Sequence, residues 1–195
     1  MVYRLMNGLA RAMALAGGAV LTALILLVCV SVLGRGMNTF LHSGLGEALL
    51  GGFAQTLLDT GVGPILGEFE VVEAGIAFAI FAFIPICQIS ASHATVDVFT
   101  GFLPPAVNRV IQAVVELVFA LVLVLIAWRL YEGMLSKMSY NETTFLLQFP
   151  IWWAYAASLF AAVVGAVVGC YMAVVRIFEM ILGRALIATV GGADH

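Results

Sequence analysis

Glu116 is the side chain whose setting most demands an account. It is the one charge in the run between Arg109 and Arg129. A carboxylate inside an apolar helix marks an ion or proton pathway unless a partner or a proton neutralises it. Arg109, Gln112 and Glu116 share one helix face by their i+3 and i+4 spacing. Arg109 lies about 10 Å away along the axis at 1.5 Å per residue. A relay wants a second embedded ionisable group, and Glu73 and Asp97 stand only at the ends of apolar runs. Pairing or protonation of Glu116, against a neighbouring helix or another subunit, is the simpler expectation. His93 and Asp97, spaced i, i+4, are of metal-ligating type, but two ligands alone make a poor site. A hydrogen bond that pins a loop accounts for them as well. Cys29, Cys87 and Cys170 each lie in an apolar run and form no CxxC pair, as small buried hydrophobes do. The sequence contains no GxSxG, HExxH, Walker A or GxGxxG pattern. No enzyme activity, cofactor or resident metal is expected from it.

These residues sit in a chain built for lipid. Of its 195 residues 64% are hydrophobic and 10% charged, whereas soluble domains average about 25% charged. The net charge of −3 argues against nucleic acid as a partner. A spanning helix needs roughly 20 apolar residues, and four runs qualify: 12–34, 74–92, 110–128 and 151–175. The first is longer than a signal-peptide core and ends at Leu33-Gly34-Arg35 without a cleavage pattern, so it reads as a retained helix. Pro85 should kink the second run, and Pro150 suits a first helical turn at the start of the fourth. The expected fold is all-α and integral to the membrane: one domain over residues 1–195, with four transmembrane helices.

Charge sets the expected orientation. Arg4, Arg11, Arg109, Arg176 and Arg184 share one side, and Arg35, Arg129 and Lys137 the other. Both termini are therefore expected in the cytoplasm. Trp128, Tyr131, Trp152, Trp153 and Tyr155 would then form an outer aromatic belt. In the outer loop, 36–72, Leu45, Leu49, Phe53 and Leu57 recur every four residues. That recurrence predicts an interfacial helix over 44–59. Ala161, Gly165 and Gly169 form a small-residue stripe, and Ala14, Gly18 and Thr22 a weaker one. Such stripes let helix backbones approach closely, either within this chain or against another membrane subunit.

Several short motifs occur in a telling order. His93-Ala94-Thr95-Val96-Asp97 is followed by Leu103-Pro104-Pro105 after the second run. Val32 to Arg35 closes the first run, Glu73 opens the second, and Leu147-Gln148-Phe149-Pro150-Ile151-Trp152 leads into the fourth. In these features the chain resembles the small membrane (Q, or DctQ-type) subunit of tripartite ATP-independent periplasmic (TRAP) transporters. The resemblance covers nearly the whole chain except roughly residues 38–66, which are longer than the usual first loop. It implies a subunit of the bacterial inner membrane that pairs with a large membrane permease subunit and serves a periplasmic substrate-binding protein. The complex would import organic acids with sodium, and the sodium sites would lie in the large subunit. Arg35, Glu73, His93, Asp97, Pro104, Pro105, Arg109, Glu116, Gly165 and Gly169 are the candidate motif or interface residues. Two rivals remain: a small integral-membrane enzyme, and a self-assembling channel with Glu116 lining its pore.

Overall fold

The computed structural model describes residues 2–43, 51, 52, 61, 63–90 and 105–182. Four helices account for most of them: α1 (Val2–Leu41), α2 (Glu68–Ile89), α3 (Pro105–Ser139) and α4 (Trp152–Leu182). All four are long and apolar enough to cross a membrane. The chain is a multi-pass membrane protein, as its composition predicts.

The helices outrun the uncharged stretches. At 1.5 Å per residue α1 is about 60 Å long and α3 about 52 Å, against a hydrocarbon core of about 30 Å. Charges thus bound the part of a helix that sits in lipid, not the helix itself. Arg35, expected to close the first span, lies inside α1, and Glu73 lies more than one turn into α2. Gly67, at φ 79°, turns the chain into α2 in a left-handed conformation that glycine adopts freely. Glu68 and Glu70 fill the first turn of α2, where carboxylates suit the helix dipole. Pro85 is accommodated inside α2 and is buried. Pro105 begins α3, a position that needs no backbone N–H. Pro150 falls just outside α4 rather than in its first turn: it forms a β-bridge with Thr143, and its carbonyl accepts the N–H of Trp153 at 3.1 Å.

The helices are arranged in a row, α1–α2–α4–α3. α1 packs on α2, α2 on α4 and α4 on α3; α1 touches α4 lightly, and α3 has at most slight contact with α1 or α2. Glycines mark the crossings. Gly17 of α1 approaches Ala82 and Phe83 of α2, and Gly75 of α2 approaches Leu24 of α1. The two helices therefore run antiparallel. On α4, Gly165 faces Ile84 and Gly169 faces Gln88, so α2 and α4 rise side by side in the same direction. Gly169 also meets Leu123 and Ala120 of α3, and Gly133 of α3 meets Tyr155 of α4. The Ala161–Gly165–Gly169 stripe is thus used inside this chain. The α1 stripe is one residue out of register: Gly18 has open space beside it, and the buried glycine is Gly17.

Two buried apolar clusters join α1, α2 and α4. One contains Ala10, Ile89, Val168 and Met172; the other contains Met13, Ala82, Ala161 and Val164. The expected interfacial helix over 44–59 lies outside the described residues apart from Gly51 and Gly52, and His93, Asp97 and Pro104 also lie outside them.

Candidate functional site

Polar side chains tie the row together at one end and lie buried at the other. The hairpin end holds the α1–α2 and α3–α4 connections. There Arg35 Nη2 of α1 reaches Glu68 Oε1 of α2 at 3.0 Å. The Arg35 side chain is half exposed, while Glu68 is buried and its second oxygen, Oε2, has no partner among the described residues. One turn earlier on α1, the buried Ser31 Oγ accepts the N–H of Ile65 at 3.1 Å. Gly34 lies so close to the chain at Gly63 that a methyl built on it would collide with the Gly63 carbonyl oxygen. Three contacts within little more than one turn of α1 thus hold the chain where it enters α2.

A second clasp continues along the same end. Residues 142–151 fold back on themselves: Thr144 N–H donates to Phe149 O at 3.0 Å, and Ile151 N–H to Glu142 O at 3.0 Å. Asn141 and Gln148 take positive φ, at 50° and 56°, to close this small hairpin. Lys137 Nζ lies 2.6 Å from Glu142 Oε2 at its base. Glu70 of α2 then accepts the N–H of Leu146 at 2.6 Å on one oxygen and that of Leu147 at 2.9 Å on the other. A carboxylate taking two backbone donors is a charge-assisted contact, roughly twice as strong as a neutral one. Leu147 in turn covers Gly67, and the tip residue Phe145 is left 88% exposed.

The opposite end carries the intramembrane charges. Arg176 and Glu179 of α4 form a buried ion pair at 2.7 Å, with side chains 8% and 6% exposed. Arg176 is also the cation that attracts Glu116 of α3. Glu116 is 7% exposed. Its buried Oε2 has no hydrogen-bond partner among the described residues, so Arg176 lends Glu116 a favourable field and not a bond. The Arg176–Glu179 pair is not among the residues that the sequence singles out. The i, i+3 spacing of Arg176 and Glu179 was the available signal. Arg109 has its own polar interaction. Gln88 of α2 is fully buried beside Gly169, and neither side-chain polar atom has a partner among the described residues. Among those residues no group of three or more metal-ligating side chains comes together.

Near the hairpin end, α2, α3, α4 and the 142–151 hairpin enclose a half-open cavity of about 310 Å³. Its polar groups include Glu73, which is exposed, and Ser158, which is buried with an unpartnered Oγ.

Taken together, the polar contacts of the hairpin end join α1 to α2 and α2 to the 142–151 hairpin, and the ion pair of the opposite end lies within α4. Such an arrangement holds a shape. Compared with known proteins, residues 24–183 match one family model, "Tripartite ATP-independent periplasmic transporters, DctQ component". No curated protein and no solved structure gives a match.

Proposed function

Because the chain belongs to the DctQ components of tripartite ATP-independent periplasmic transporters, we propose that it is the scaffold subunit of a sodium-coupled, binding-protein-dependent importer of organic acids. In this reading it pairs with a large membrane permease subunit that carries the substrate and sodium sites, and it holds no cofactor of its own. A periplasmic binding protein delivers the substrate. The complex lies in the bacterial inner membrane, with both termini of this chain in the cytoplasm.

The observation that carries the scaffold role is the tied row of helices. A row exposes two broad apolar faces, where a closed bundle of the same helices would hide most of that surface. An ion pair and a two-donor carboxylate clasp at the hairpin end, with close glycine contacts along the helices, keep its helices in fixed register. A frame of this kind supports a moving neighbour without moving itself. The test is co-expression with the large subunit and binding protein, followed by reconstitution. This chain is expected to co-purify with the large subunit, and vesicles lacking it are expected to lose sodium-driven uptake of organic acid. Full uptake by the large subunit and binding protein alone would sink the proposal.

A further inference from the structure

The cavity at the hairpin end has the chemistry of a binding site that the scaffold role does not use. Its walls are mostly alanine, leucine, isoleucine and phenylalanine side chains, and no lysine or arginine lines it among the described residues. Two carboxylates do, Glu70 and Glu73. Both oxygens of Glu70 already accept backbone N–H groups from Leu146 and Leu147. Glu73, exposed at the mouth, is the carboxylate that can meet a ligand. Deeper in, Ser158 is 2% exposed and its Oγ has no hydrogen-bond partner. A helical serine commonly bonds back to the carbonyl four residues earlier, and a buried hydroxyl without a hydrogen bond is unfavourable. Ser158 instead borders the cavity. Tyr155 adds a phenol oxygen one turn away.

We propose that this cavity binds the primary-ammonium head of an aminophospholipid, with the ammonium held between Glu73 and Ser158. The ligand must be cationic at one end, because an anionic head would face Glu70 and Glu73 with no lysine or arginine in the lining to offset them. It is best served by N–H donors, because the Glu73 carboxylate only accepts and the Ser158 hydroxyl can accept beside it; a trimethylammonium offers no donor. It must have an apolar continuation, because the remaining walls are hydrocarbon. Depth selects a lipid as the source. The cavity lies within two turns of Trp152 and Trp153 at the start of α4, and tryptophans at the end of a spanning helix sit at headgroup level. The inference requires only that the chain spans a bilayer and is independent of the transporter role.

The test is lipid retention by the full chain, purified in detergent and measured by native mass spectrometry. Phosphatidylethanolamine, phosphatidylcholine and phosphatidylglycerol are offered at equal concentration. Phosphatidylethanolamine is expected to be retained about fivefold over the other two, as one ion pair at an accessible site allows. Glu73→Gln is expected to abolish that preference. Ser158→Ala keeps the charge and the fold and is expected to weaken the preference, with the melting temperature of both variants serving as a check on integrity. Competition by dissolved ethanolamine for the bound lipid would support the ammonium contact. Equal retention of the three lipids, or a preference that survives Glu73→Gln, would overturn the assignment. Binding of ethanolamine by a chain that retains no phosphatidylethanolamine would move the source to a free amine and overturn the lipid. Loss of the lipid whenever a partner subunit is bound would hand the cavity to a partner's basic side chain, with the same result.

Discussion

In the interior of this protein one guanidinium binds one carboxylate and attracts a second. Glu179 is bonded to Arg176 at 2.7 Å, and Glu116 feels the same cation from α3. The three positions are therefore unequal. Arg176→Leu removes the charge that both acids rely on, and breaking a buried pair in this way costs about 3–5 kcal/mol. Glu116→Leu leaves Arg176 with Glu179 and should cost about 1 kcal/mol or less, since apolar replacement of a buried charge is often neutral. Unfolding titrations in mixed micelles should rank the two in that order; equal losses would mean that Glu116 has a further partner. Glu116→Gln should leave sodium-driven uptake largely intact, measured in reconstituted vesicles. Loss of uptake with the complex still assembled would give Glu116 a coupling role. Glu70 makes a different kind of contact, since it holds backbone rather than charge. Glu70→Ala is expected to release the Leu146 and Leu147 amides, seen as faster hydrogen exchange across 144–149 with the helices unchanged. Glu116 stands out in the sequence as the one charge between Arg109 and Arg129. Its proximity to Arg176 and the reach of Glu70 to the Leu146 and Leu147 amides do not, because they cross helix and loop contacts that periodicity alone does not encode.

At the scale of helices, glycine placement decides what can be altered. A methyl on Gly34 would collide with the Gly63 carbonyl, whereas one on Gly165 would find Ile84 Cγ2 at 3.5 Å, an ordinary contact. Gly34→Ala should therefore destabilise the purified chain, because a backbone carbonyl must move, typically by 1–3 kcal/mol for overpacking. Gly165→Ala should be nearly silent in the same melting experiment. Replacement of Gly165 and Gly169 by leucine would strain the α2–α4–α3 contacts within the chain, so weaker co-purification of such a variant would report a damaged fold and not a lost subunit interface. The four helices were legible from their apolar runs because a lipid-spanning segment cannot hide its composition. Their lengths were not, since Arg4, Arg11 and Arg35 interrupt the apolar run without interrupting α1. The α4 stripe was visible. The α1 stripe misled by one residue, because Gly17 and Gly18 are both small and only the neighbouring helix chooses between them.

Over the whole molecule, orientation rests on a small excess of arginine. Alkaline phosphatase fused after residue 60 is expected to be active, and the same enzyme fused after His195 inactive, because it matures only outside the cytoplasm. The reverse pattern would invert the chain and exchange the two ends. The order of the row, α1–α2–α4–α3, was not legible at all: hydropathy gives each helix the same signature whichever neighbour it meets. That order bears on how the protein is made. As the ribosome feeds the membrane, α1 and α2 can close on each other at once, but α3 emerges with almost no surface to join. Its seat is on α4, and translation of those 31 residues takes about 2–6 s at ~5–20 residues per second. For that interval α3 is an orphan in the bilayer, open to quality-control proteases and to insertion chaperones. The last helix is the keystone of the row, so a nascent chain stopped after Pro150 should be degraded from its third helix while its first hairpin persists.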